Sequence, residues 1–203
     1  PGHPGELAVA LVLYFPQNLL LLYMSWIEPL MALCLSLLVW ASAKNNRVAK
    51  VIGAGLVAAA KQYGFLFIPA FLISRKLTWN QALQAAAISV ATVLPFIIWD
   101  APGFFQGTLI NHTLVPFRSD SLSVSAFVFN STGWQPPAAF AFVAVAAVLG
   151  LAAWKKQTTL SQCLLTPSAT VMALFLFNWA AFINYYWTAI VLLPMASALS
   201  FAE

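Results

Sequence analysis

Apolar runs and short polar gaps alternate along the chain, and the spacing is that of helices. The runs cover residues 7–24, 29–43, 51–60, 65–74, 80–98, 136–153, 160–178 and 185–201. Continuous apolarity at these lengths predicts buried or lipid-facing helices rather than half-buried alternating strands, and hence an all-α fold. Pro16, with Gln17 and Asn18 after it, breaks the first run into a bent or partly interfacial helix. Pro29 follows Ser25, Trp26, Ile27 and Glu28 and suits the first turn of a new helix. At ~1.5 Å per residue, residues 29–43 reach about 22 Å, short of a ~30 Å hydrocarbon core, so this helix extends past those limits or sits recessed.

Composition sharpens the picture. The chain is 62% hydrophobic and 7% charged, with a mean hydropathy of +0.87, whereas soluble domains are roughly a quarter charged. This predicts a polytopic transmembrane helical bundle of about 7–8 hydrophobic segments, some short or re-entrant, in a single membrane domain over residues 1–203. The formal charge of +4 does not point to nucleic acid. Most of the basic residues form three clusters between apolar runs: Lys44, Arg47 and Lys50; Arg75 and Lys76; Lys155 and Lys156. Clusters so placed mark the cytoplasmic side.

Residues 51–73 decide the path. As one span they would put Lys61 near the bilayer centre, at a cost of roughly 2.5–3.5 kcal/mol on insertion scales, and would place Arg75 and Lys76 opposite the first cluster. As two short helices turning at Lys61, Gln62, Tyr63 and Gly64, either a re-entrant hairpin or two thin spans, they keep every cluster on one side. The pair is the reading adopted over a single span. Residues 80–98 then cross outward with Pro95 near the exit, 136–153 return, 160–178 go out, and 185–201 come back.

Between them lies the long polar stretch from Trp99 to Gln135, which carries Asp100, His112, Arg118 and Asp120. A long loop with no obvious element of its own is more often a functional loop than a connector. Its aromatics, spaced among Gly, Pro and Ser, suggest a segment lying at a membrane surface. The path also brings Glu28, Lys61 and the Asn184, Tyr185, Tyr186 turn to this outer face. The site is therefore expected on the non-cytoplasmic side.

Substrate contact is expected from Glu28, Lys61, Gln62, Tyr63, Asp100, His112, Arg118, Asp120 and Tyr185. Ionisable groups at the membrane boundary tend to face a cavity and to pair. Glu28 also has a bland role as an acid at a helix N-terminus, and Lys61 as a snorkelling lysine. In the stretch PFRSDSLS, residues 116–123, Arg118 suits a bidentate phosphate contact that Asp120 orients; the bland alternative is a local surface pair. A single loop histidine such as His112 is weak evidence. Cys34 and Cys163 fall in or beside apolar runs and read as inert packing residues, and no metal site is expected. Hydrolase, zincin, P-loop and dinucleotide motifs are absent from the sequence.

The order SWIEPL (25–30), AAAKQYGFLFIP (58–69), WDAP (99–102) with Phe104 and Gly107, PFRSDSLS and NYYWTAIVLLP (184–194) resembles membrane glycosyltransferases of the GT-C class, the bacterial branch similar to polyprenol-phosphate-mannose-dependent transferases. The resemblance covers most of the chain through short motifs. It implies a membrane enzyme, in a bacterial plasma membrane, that moves a hexose such as mannose from a polyprenyl-phosphate donor to an acceptor on the non-cytoplasmic face. The lipid-phosphate-linked sugar is the donor substrate, a divalent metal is left open, and the partners are membrane lipids and that lipid-linked sugar. By resemblance Lys61 and Arg118 hold the donor phosphate, while Glu28 and Asp120 line the site. The family's catalytic Asp, in an outer loop after the first transmembrane helix, has no counterpart here. That gap fits the lack of a Met or basic leader at PGHPGELAV and the end SALSFAE in an apolar run: both read as cuts through a longer protein, of which this is the central and C-terminal part. Another class, a transporter or flippase for an amphiphile, calls for paired inverted halves and a midplane site, and neither is apparent.

Overall fold

The computed structural model describes residues 4–24, 27–111, 114, 116–157 and 159–200. Its elements are helical, with no strand among the described residues. They are α1 Pro4–Leu13, α2 Gln17–Tyr23, α3 Glu28–Ala43, α4 Arg47–Ala60, a 3-10 turn Gln62–Leu66, α5 Phe67–Ile73, α6 Trp79–Trp99, α7 Ala101–Phe105 with a π turn Gln106–Ile110, α8 Val124–Thr132, α9 Ala139–Trp154, α10 Leu160–Leu176 and α11 Ile183–Ser200.

Helix α1 and helix α2 meet at a 51° bend at the Pro16 break. The carbonyls freed there are not left bare: Asn18 Nδ2 donates to Val12 O at 2.5 Å and to Leu13 O at 3.0 Å. Trp187 Nε1 in turn donates to Asn18 Oδ1 at 2.6 Å. Pro29 sits in the first turn of α3, where its missing N–H costs nothing. Helix α3 has 16 residues and ends at Ala43, so the expected extension beyond residues 29–43 amounts to Glu28 alone.

Helices α3 and α4 form an antiparallel pair packed backbone to backbone. A Cβ on Gly53 would lie 2.9 Å from Leu38 Cα, and one on Gly55 would lie 2.8 Å from Ala85 O of α6. The chain then reverses. Lys61 leaves the helix in an extended conformation, φ −155° and ψ 151°. Gly64 next folds so closely onto α4 that a Cβ there would fall 2.0 Å from Val57 O. The returning segment follows α10 from end to start, since Tyr63 packs edge-on against Phe175 and Ser74 Oγ donates to Cys163 Sγ. The pair of short helices expected over residues 51–73, turning at Lys61–Gly64, is therefore present. The core between these helices is Met31, Leu35, Leu38, Val57, Phe67, Phe71, Leu164, Val171 and Leu192.

One expectation is overturned. The stretch from Trp99 to Gln135 is not an irregular loop but carries α7, a π turn and α8. The reason is capping: Asp100 accepts from Gly103 N and Ser123 accepts from Ala126 N, while Gly133 closes α8 at φ +74°. Of the described helices, α6 alone is long and apolar enough to cross a membrane, and the bent α1–α2 pair passes the same test together.

Candidate functional site at the end opposite the basic clusters

Three chain reversals meet at one end of the bundle: the start of α3, the Lys61–Gly64 turn, and the start of α11. Glu28 is wholly enclosed there. Its Oε1 accepts from Lys61 Nζ in a salt bridge and from Asn184 Nδ2 at 2.9 Å. Its Oε2 is equally enclosed and has no hydrogen-bond partner.

Lys61 is held on its other sides by aromatic faces. Its Nζ lies 5.4 Å from the ring centre of Tyr63 and 5.3 Å from that of Tyr185, within range of cation–π attraction. Tyr63 is fixed by a 2.9 Å hydrogen bond between its hydroxyl and Thr188 Oγ1. Tyr185 stacks on Phe175 with ring centres 4.6 Å apart. The extended Lys61 conformation, the enclosure by Gly64 and the register of α10 against α11 together place one cation between two tyrosines. Gln62, next in the turn, reaches Thr108 O at 3.4 Å.

Arg118 and Asp120 form a bidentate pair, Nε to Oδ1 at 2.8 Å and Nη2 to Oδ2 at 2.7 Å. Both are exposed. Arg118 holds the Asp120 carboxyl below the usual carboxylate range by hydrogen bonding to its charged form, so the pair persists at neutral pH. Their segment is tied to the α10–α11 connection: Arg118 N donates to Trp179 O at 3.1 Å and Leu122 N to Ala181 O at 2.7 Å. The guanidinium carbon of Arg118 lies 5.2 Å from the Phe182 ring centre, and Phe182 lies 6.4 Å from Tyr185. Arg118 and Lys61 are thus the two ends of one aromatic row, Phe182 then Tyr185.

Of the residues expected at the site, Glu28, Lys61, Tyr63 and Tyr185 come together, and Gln62 flanks them. Arg118 and Asp120 adjoin them through Phe182 but occupy each other. Asp100 is an exposed helix cap, engaged with Gly103 N at 3.0 Å. His112 lies outside the described residues. Sequence reasoning brought Asn184 to this face without naming it a site residue, and it missed Thr188. The signal was their spacing of four on one face of a largely apolar helix. Two buried polar side chains at that spacing need a partner on the next helix.

No family model matches this chain, and no curated protein or solved structure matches it.

Proposed function

We propose that this chain is the membrane module of a glycosyltransferase that takes a hexose from a polyprenyl-phosphate donor on the non-cytoplasmic face. The observation that carries it is the enclosed Glu28–Lys61–Asn184 cluster, set at the far end of the bundle from the three basic clusters. A buried ion pair is weak evidence for stability, because hydrophobic replacements often do as well. Its cost in an apolar chain favours a role in handling a charged or hydroxyl-rich ligand. Lys61 and the planar fork of Arg118 then attract the phosphate, in exchange for part of their contact with Glu28 and Asp120. Glu28 Oε2, enclosed and without a hydrogen-bond partner, is the acceptor that a substrate hydroxyl would take up once Lys61 gives way to the phosphate.

The bilayer setting is part of the same proposal. Helix α6 has 21 residues, about 31 Å at ~1.5 Å each, which matches a ~30 Å core. Its Leu83, Val90, Phe96 and Ile98 face outward, and it begins and ends on exposed tryptophans, Trp79 and Trp99. Aromatic residues at both ends of an apolar face suit the two headgroup levels. The shorter helices are read as thin or re-entrant segments around it.

Two measurements test this. In intact cells, cysteines placed at exposed Ala43 and Asn80 should be shielded from an impermeant thiol reagent, while one at exposed Ser119 is labelled; the native Cys34 and Cys163 are buried and silent. Labelling of Ala43 and Asn80 on opposite sides would end the outer-face reading. In the complete enzyme, assayed at matched folded amounts, Arg118→Ala and Lys61→Ala should each lower transfer from the lipid-linked sugar about 10- to 100-fold, the worth of a charge-assisted hydrogen bond. Arg118→Lys should recover only part, since a point charge replaces a fork. Lys155→Ala, in a basic cluster at the other end, should leave transfer intact. If vesicles moved the lipid-linked sugar across the bilayer unchanged, in a Lys61-dependent way and without transfer, a transporter would replace the enzyme.

A further inference from the structure

An apolar groove opens on the outside of the bundle where the α4–α5 pair meets α6. Helix α6 packs along α4, whereas α5 touches α6 only sparingly, and a trough of about 600 Å³ is left between them. It is lined by the small side chains Ala58, Ala82 and Ala86 and by the larger Ile68, Leu72 and Trp79. Trp79, Ala82 and Ala86 are three and four residues apart and so share one face of α6. The volume is that of a ligand pocket. Its lining is hydrocarbon almost throughout, which suits a chain rather than a polar ligand.

Length and charge say which chain. The groove follows α6 from Trp79 to Val90, about 16 Å at ~1.5 Å per residue. That is about half of a ~30 Å hydrocarbon core, the depth of one leaflet. Its shallow end is basic. Arg75 and Lys76 lie in the short connection between the lining residues Ile73 and Trp79. The connection is folded back on the end of α5, for Arg75 N donates to Leu72 O and Lys76 N to Phe71 O, each at 3.0 Å. The two ion pairs among the described residues, Lys61–Glu28 and Arg118–Asp120, involve neither cation. Arg75 is exposed, and so is Trp79, a side chain suited to the headgroup level.

We propose that this groove holds an acyl chain of an anionic phospholipid, with the phosphate of its headgroup at Arg75 and Lys76. The chain reaches from the headgroup level to the bilayer midplane. Basic side chains at a membrane surface attract anionic lipids, and the groove adds a fixed place for the tail. The site rests on the bilayer setting of α6 and is independent of the transfer reaction.

The test uses the full chain in phosphatidylcholine vesicles that carry a trace of lipid with a photoactivatable group partway along one acyl chain. The probe is phosphatidylglycerol in one set and phosphatidylcholine in the other. Mapped cross-links at Ala82 and Ala86 are expected to be about 10-fold or more stronger from phosphatidylglycerol. Ala86 is exposed, so Ala86→Phe fills the groove without disturbing the core and should abolish these cross-links. Arg75→Ser combined with Lys76→Ser should reduce the phosphatidylglycerol signal to that of phosphatidylcholine, while Lys155→Ala keeps the preference. Equal labelling of the wild type by both probes, undiminished labelling of Ala86→Phe, or an equal loss in Lys155→Ala would overturn the site; the last would mean diffuse attraction to a charged surface. Labelling of outward-facing Leu83 without the groove would end the lipid site and leave the bilayer setting of α6 intact, whereas labelling of neither would end both.

Discussion

Lys61→Met is expected to destabilise the protein by about 3–5 kcal/mol, the cost of leaving one partner of a buried ion pair without the other. The loss arises less from the missing amine than from what stays behind. Glu28 is fully enclosed, its Oε2 already lacks a partner, and after the substitution only Asn184 would hydrogen-bond to its charge. The double variant Glu28→Gln, Lys61→Met should therefore regain most of the stability. Glutamine keeps an acceptor for Asn184, and the methionine side chain still packs between Tyr63 and Tyr185. Denaturant unfolding in detergent measures both variants. Transfer activity separates the two roles, because the double variant should be folded and yet as inactive as Lys61→Met. A double variant no more stable than the single one would show that Lys61 supports the turn by something other than pairing with Glu28.

Gly64→Ala should cost at least about 1–3 kcal/mol, the range for forcing extra atoms into a packed interior. The added carbon would fall 2.0 Å from Val57 O. A backbone carbonyl cannot swing aside as a flexible side chain can, so the turn itself must shift. That turn carries Lys61 and Tyr63, so transfer activity should fall with stability. Gly107→Ala is the control: nothing lies within 4 Å of a Cβ there, and the change should stay within about 0.5 kcal/mol. Equal stabilities of the two alanine variants, measured by the same unfolding assay, would mean that α5 does not fold back onto α4 as tightly as described.

The reversal at Lys61 was legible in the sequence because cost dictated it. Lys61 in the middle of an apolar run is too expensive to bury alone, and keeping Arg75 and Lys76 with the first basic cluster leaves a hairpin as the economical path. Pro16 and Pro29 marked helix boundaries for the same local reason, a missing N–H and a fixed φ. The helices inside the stretch from Trp99 to Gln135 were also signalled, by Asp100, Ser123 and Gly133 as caps. Apolar periodicity alone passed over them, because α8 has exposed Phe127 beside buried Ser125 and Ala126.

Sequence by itself determined the helical class, the reversal at Lys61, and the sharing of one end by Glu28, Lys61 and Tyr185. These follow from hydropathy, charge and backbone chemistry, which act along the chain. Only the tertiary structure decided the partners. That Glu28 takes Lys61 and Asn184, that Thr188 fixes Tyr63, and that Arg118 is committed to Asp120 while touching Phe182 all depend on the register of α3, α4 and α11 and on the fit of the 116–122 segment against the α10–α11 connection. Such pairings are set by side-chain distances across elements far apart in sequence, where a shift of one helical residue moves a side chain by about 100° around its axis.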